Sequence, residues 1–415
     1  MRKSMGYRAL IGLVVVALVA VLVTLAVLRL TNSTSSSVGP DAPSSACHAD
    51  SCDSNFLNAI SCAKPSFCVA VGYYRERNGT EKTLIERWDG SSWAIMRSAN
   101  TKYGKDKLAS VSCSSARFCV AVGWDNVFEV GFTTIIEEWN GSTWKIVDPQ
   151  PAVFAKLEGV QCFDATRCIA VGYQEKASSI PQTLVERWNG SRWFAVSTAN
   201  ETSPDVMFND LHGVSCATPS RCVAVGSAQT LDNDEFVEVE EERGTSWTLF
   251  RAPRLAGPVD SFAAVACPRV RVCFAVGSYD VVGASRNARH VLIEEWNGTT
   301  WRKMKVPKPP LVNDVLTSIT CESASFCVAV GVAHQDLGSD AIVDVWNGIV
   351  WRSEATSTSF ASAAKPLNGV TCVNATDCYA VGWYEDRSGV ALALVEHWNG
   401  SKWLGEAVPN EATGA

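Results

Sequence analysis

Two hydrophobic patterns divide the chain. From Ala9 to Leu28 almost every position is apolar, with Thr24 the one polar residue, and the run shows no period. At helical rise such a run reaches across the ~30 Å hydrocarbon core of a bilayer, so it predicts one transmembrane helix. Arg2, Lys3 and Arg8 precede it and Arg29 alone follows closely, which places the amino terminus in the cytoplasm and the rest of the chain outside. The run outlasts the apolar core of a usual cleaved signal peptide, and Arg29 interrupts the approach to a cleavage site. Residues 1–30 are therefore read as a cytoplasmic stub and signal-anchor. The stretch "LTNSTSSSVGPDAPSS" from Leu30 to Ser45 has too little apolar surface to fold, and residues 31–55 are read as a flexible linker.

Beyond the linker the pattern changes to short alternating runs. In the first unit these are "LNAISC", "CVAVGYY", "TLIERW" and "WAIMRS", with "DGSS" turning between the last two. An Asp-Gly or Asn-Gly pair supplies the positive φ angles of a tight hairpin. The unit recurs seven times, its first cysteine at Cys62, Cys113, Cys162, Cys216, Cys267, Cys321 and Cys372, spaced by 49 to 54 residues. One small four-stranded sheet cannot bury both faces without a neighbour on each side. The pattern therefore predicts an all-β domain over residues 56–408, a seven-bladed β-propeller of four-stranded antiparallel blades. Strand A opens the first unit and strand D closes the last, so the ring should close by packing between blades one and seven. "PNEATGA" at 409–415 reads as a disordered tail.

Sixteen cysteines fit an exported chain better than a reduced cytosolic one. In each unit five residues separate two cysteines across the mouth of the A–B hairpin, a separation that a disulfide can bridge. The expected pairs are Cys62–Cys68, Cys113–Cys119, Cys162–Cys168, Cys216–Cys222, Cys267–Cys273, Cys321–Cys327 and Cys372–Cys378, and Cys47–Cys52 is left as an eighth. Zinc would want shorter spacings and histidine company. After the second cysteine, Ala-Val-Gly recurs. The alanine is expected to make room for a large side chain of the next blade, and the glycine to end the strand or admit a close backbone. Trp pairs such as Trp88 and Trp93 flank the last turn. An acidic residue stands two places before the first Trp position in every unit: Glu86, Glu137, Glu186, Glu240, Glu294, Asp344 and Glu396. Presence in all units favours an architectural hydrogen-bond acceptor over a metal-binding ring.

With an apolar strand ending in "VAVG", a variable loop and "ERWDGSSW", the unit resembles β-propeller repeats of the kelch kind. Its Gly-x-x-Trp turn is also similar to the Asp-box of sialidase-like propellers, although Trp88 stands at the Asp position and Glu86 at the Ser position. Both resemblances imply a propeller and leave its activity open.

Charge and chemistry narrow the function little. The balance of 36 basic against 43 acidic residues gives no basic footprint, so nucleic acid is not an expected partner. No nucleophile elbow, metalloprotease motif or phosphate loop is present. His212, His290, His334 and His397 fall in different blades at different positions, and no cofactor or metal is expected. The acidic stretch from Leu231 to Arg243 reads as a solvated loop, with cation binding the other possibility. The residue after Ala-Val-Gly is Tyr73, Trp124, Tyr173, Ser227, Ser278, Val332 and Trp383 in unit order, so aromatics occupy four consecutive blades. With Tyr74 and Tyr384 they form a candidate ligand-binding crescent, packing between blades being the alternative. Three functions stay open: a membrane-anchored envelope binding or scaffold module for a cell-wall glycan or protein, an extracytoplasmic carbohydrate-active enzyme, and the ectodomain of a receptor complex.

Overall fold

The computed structural model describes residues 53–127, 131–147, 154–175, 180–244, 246–250, 259–281, 289–307, 313–335, 338–357 and 366–411. The expected transmembrane run and the Cys47–Cys52 pair lie outside these residues. Among them, twenty-eight strands form seven antiparallel four-stranded sheets, each made of consecutive strands. Blade one comprises β1 (Ser54–Lys64), β2 (Phe67–Arg75), β3 (Glu81–Trp88) and β4 (Trp93–Ile95), and the pattern A–B–C–D repeats around a ring. Strand A begins at Ser54, two residues before the expected start of the domain at 56.

Burial on both faces explains the near-continuous apolar run of strand B. Val69, Val71 and Ile85 pack with Leu108, Val111 and Ala121 of blade two, whereas Cys68, Ala70 and Leu84 pack with Tyr379 and Val381 of blade seven. The recurrent alanine thus faces the preceding blade, not the next one, because strand alternation puts it on the side of the cysteine. The recurrent glycine has a sharper cause. Strand A shifts register between Leu57 and Ala59, which drives the Phe56 carbonyl against Gly72. A Cβ there would lie 1.9 Å from that oxygen, and the other six equivalents give 1.9 to 2.0 Å. No side chain fits.

Seven disulfides close the A–B hairpins, with Cα–Cα separations of 3.9 to 4.0 Å. The same hairpins are tied to strand C by indole N–H groups. Trp88 donates to Pro65 O at 3.1 Å, Trp139 to Ala116 O at 3.2 Å, and Trp188 to Ala165 O at 2.9 Å.

The strand C acids act between blades. Glu137 accepts from Ala99 N at 3.0 Å, Glu240 from Ala199 N at 3.0 Å, and Glu396 from Ser357 N at 3.2 Å, each donor lying just after strand D of the preceding blade. The architectural reading of this column is the one these contacts support. At the closure the pattern breaks. Pro409 stands where Ala99 and Ala199 stand and has no N–H to give, and both carboxylate oxygens of buried Glu86 lack a hydrogen-bond partner among the described residues.

Residues 409–411, expected to belong to the tail, are part of the last repeat. Asn410 Oδ1 accepts from Ala393 N at 2.8 Å, as Asn100 does from Thr83 N and Asn200 from Thr183 N. Glu411 then bonds back to the first blade: its carbonyl accepts from Asp53 N at 3.2 Å, and its N–H donates to Asn55 Oδ1 at 3.0 Å. These bonds join the two ends of the ring, beside the Asn368 Nδ2 to Leu57 O bond of 2.9 Å.

Blade four departs from the others in its strand C, Glu235–Arg243. Opposite the recurrent glycine, the other blades place Leu84, Ile135, Leu184, Leu292, Ile342 and Leu394; blade four places Glu238, which is buried. The acidic stretch is therefore only partly a solvated loop, since Glu238, Glu240 and Glu242 point inward. Burial, with Glu240 next to it, pushes the Glu238 carboxyl well above the usual carboxylate range. Glu238→Leu, which restores the aliphatic side chain of the other blades in place of a buried carboxyl, is expected to stabilise the domain at neutral pH by about 1–3 kcal/mol. Denaturant unfolding would measure it; a loss of stability would show that the carboxyl has a structural partner the leucine cannot replace.

Candidate functional site

Strand A of every blade lines a central channel of about 180 Å3. The residue three before the first cysteine is small throughout, as in Gly159, Gly213, Ala264 and Gly369, because the inner strands crowd. A Cβ at Gly369 would lie 2.8 Å from Ala59 Cα. One residue earlier the column reads Asn58, Ala109, Glu158, His212, Ala263, Thr317 and Asn368. Four of these stitch neighbouring blades. Asn58 Nδ2 donates to Leu108 O at 2.8 Å, Thr317 Oγ1 to Leu367 O at 2.7 Å, and Asn368 Nδ2 to Leu57 O at 2.9 Å. His212 Nδ1 lies 2.8 Å from Phe262 O. A carbonyl only accepts, so Nδ1 carries the proton of that bond.

The one remaining polar position, Glu158, is next to His212 across the seam between blades three and four. Glu158 and His212 there meet Asp210, and one ligand-type atom from each lies within 4.8 Å of the others. His212 Nε2 is 3.6 Å from Asp210 Oδ2. Burial alone would lower the His212 pKa, but the Asp210 and Glu158 carboxylates outweigh it and push it up to about 10. Burial and the Asp210 charge push Glu158 up to about 7, against the pull of His212 and Lys156.

Around the mouth of this channel lie the aromatics picked out by the sequence. Tyr73 stacks on Phe56 at 4.8 Å, and Trp383 meets the same Phe56 edge-on at 5.5 Å. Lys107 Nζ caps Tyr73 at 4.2 Å. Lys156 Nζ lies 3.9 Å from the Phe132 ring centroid, 4.7 Å from Trp124 and 5.7 Å from Tyr173, and Tyr173 contacts Phe208 at 4.7 Å. The contacts run through blades seven, one, two, three and four, with half-buried rings in each seam. In the other half Ser227, Ser278 and Val332 are small and buried.

Tyr74 and Tyr384 do not join this arc. Strand alternation turns them to the opposite faces of their blades, where Tyr74 packs on the core between blades seven and one and Tyr384 on the core between six and seven. Tyr173 is the link between rim and channel: burial, then the Asp210 and Glu158 charges, push its hydroxyl pKa upward. Lys107, Lys156, Glu158, Asp210 and His212 were not singled out as a group by sequence reasoning. Aligning the strand A column of all seven repeats would have shown that the Glu and the His are neighbours in the ring.

No protein-family model and no curated protein matches the sequence. Solved structures match in fold. An ulvan lyase of polysaccharide lyase family PL25 aligns with TM-score 0.60 at 9% identity over 89% of this chain and 97% of that one. A structure of such a lyase bound to a GlcA(1-4)Rha3S saccharide gives TM-score 0.56 at 8% identity, over 86% and 96% of the two chains. A GH74 xyloglucanase from Xanthomonas campestris gives 0.55 at 12% identity, over 88% of this chain and 55% of that one. At these identities the likeness is one of fold: the chain is a seven-bladed β-propeller with a disulfide in each blade.

Proposed function

We propose that the chain is a binding module of the cell envelope, held at the membrane by residues 9–28, which takes an envelope glycan across the aromatic arc at the channel mouth. One observation carries this reading: aromatic faces interleaved with Lys107 and Lys156 fill half of the rim, while the facing half is small and buried. Flat rings stack on sugars at low entropy cost, and ammonium groups beside them favour an acidic sugar. That a propeller of similar fold is described with a GlcA(1-4)Rha3S saccharide agrees with the reading.

The test is calorimetric titration with uronate-containing and neutral oligosaccharides. The Trp124→Ala, Trp383→Ala double variant is expected to lose binding at least tenfold with little change in thermal midpoint, and Lys156→Gln to lose binding of the acidic sugars selectively. A double variant that instead loses several kcal/mol of stability would make the rings core and place the site elsewhere.

A second reading, a carbohydrate-active enzyme, draws on the convergence of Glu158 and Asp210 at the channel wall. Their ligand atoms lie within 4.8 Å with an imidazole beside them. That spacing is tighter than the roughly 5–5.5 Å of a retaining glycosidase pair. Release of new reducing ends or unsaturated sugars from wall polysaccharide would favour this reading over the first.

A further inference from the structure

We propose that Glu158, Asp210 and His212 form a divalent-cation site of the zinc class on the channel wall between blades three and four. The inference stands independently of any glycan at the rim. One donor atom from each residue falls within a 4.8 Å span, wider than the ~3.4 Å edge of a tetrahedron of ~2.0–2.2 Å bonds, so the three side chains must draw together around the ion.

The imidazole is prepared for it. Its Nδ1–H is committed to Phe262 O at 2.8 Å and Nε2 lies on the side of Asp210 Oδ2, 3.6 Å away, so an ion that displaces the Nε2 proton finds the ring already oriented. A backbone carbonyl on the second nitrogen is the usual outer partner of a metal-bound histidine. Architecture accounts for only half of this residue. Asn58, Thr317 and Asn368 make the same bond to the next blade with no imidazole, so the stitching of the ring does not require the Nε2 of His212.

A second observation is independent of the first. Asp210 is 7% exposed, and its Oδ1 is buried with no hydrogen-bond partner among the described residues. A buried carboxylate oxygen left without a donor costs free energy unless a cation or water meets it. Nor is the trio a product of repetition: the positions equivalent to Glu158 and His212 carry no charge in the other five blades. Imidazole with two carboxylates selects a first-row ion such as Zn2+ or Mn2+ over Ca2+. Glu158 and His212 line the channel, and three protein ligands would leave a fourth position for a water or a ligand.

The test uses the full oxidised chain, chelator-treated and dialysed, and titrated calorimetrically with ZnCl2, MnCl2 and CaCl2, with metal content read by plasma mass spectrometry. The expected result is one Zn2+ per chain, bound more tightly than Ca2+. His212→Asn keeps the bond to Phe262 O, as Asn58 and Asn368 show, and should fold normally while losing zinc affinity at least tenfold. Asp210→Asn should lose it similarly. Absence of zinc binding in the wild type overturns the proposal, as does zinc binding that His212→Asn leaves unchanged. In either case the trio is an ion triad with an imidazolium between two carboxylates.

Discussion

Removal of one complete repeat is expected to leave no folded monomer. Deleting residues 155–208 would join the end of blade two to the strand A of blade four in the same register. Every blade buries one face against each neighbour, so seven blades make seven seams, and none is a free end that tolerates exposure. The seam between blades seven and one alone buries Leu57, Ile60, Leu84, Trp93, Tyr379, Val381 and Val395, among others. At ~1.5–3 kcal/mol for each large apolar side chain, opening a seam costs on the order of 10 kcal/mol. That rivals the ~5–15 kcal/mol stability of an entire domain. Reclosing as six blades would demand a wider wedge between neighbours. The inner strands resist it, since a Cβ at Gly369 would already lie 2.8 Å from the next backbone, and one at Gly159 or Gly213 3.1 Å from it. Size-exclusion chromatography and thermal unfolding of the deletion variant provide the measurement. Aggregation, or an oligomer that borrows a repeat from another chain, agrees with the expectation. A cooperative, monomeric six-repeat protein would overturn it.

The ring was legible because each of its requirements recurs seven times. A glycine forced by a carbonyl at 1.9–2.0 Å and a cysteine pair across a hairpin each leave a full column in the repeat alignment, and an indole tied to that hairpin leaves one interrupted only by Glu242 in blade four. Features that occur once leave none. Asn410 is disguised by the Pro409 before it, although its spacing from Ala393 equals that of Asn100 from Thr83. The crescent was half legible. Alternation fixes the opposite facing of Tyr73 and Tyr74, which their shared place after the same glycine conceals. The Glu158–Asp210–His212 trio spans two repeats, 54 residues apart at the equivalent positions of Glu158 and His212. Only the closeness of adjacent inner strands brings it together. Judging the histidines one by one, by blade and position, hid the fact that a channel column is read around the ring.

Stability should rise as the solution is acidified from pH 8 to about 5, opposite to the acid lability of most folded domains. Five of the seven strand C acids are pushed upward by burial: Glu137, Glu186, Glu240 and Glu294 to about 7, and Glu86 well above the usual range. A carboxyl whose folded pKa lies above its unfolded value binds protons more readily in the native state. Its stabilising contribution is complete below about pH 4.5 and is lost as pH rises through 7. Each rise from 4.5 to about 7 corresponds to roughly 3 kcal/mol at ~1.4 kcal/mol per pH unit. These contributions are not additive, and a net gain of at least about 3 kcal/mol between pH 8 and pH 5 is expected. His212 and His397, both raised by neighbouring carboxylates, act in the same direction at higher pH. Glu81 and Asp386 act the other way, being held low by their hydrogen bonds against the opposing effect of burial, and their contribution is lost below about pH 4. The optimum therefore falls near pH 5. Glu86 tests the cause as well as the trend, because Pro409 denies it the N–H that its counterparts receive. Glu86→Gln should match the wild type at pH 5 and exceed it at pH 8, flattening the pH dependence of the thermal midpoint. A midpoint that climbs from pH 5 to pH 8 in the wild type would mean that these carboxyls are ionised in the folded ring and that its seams hold charge after all.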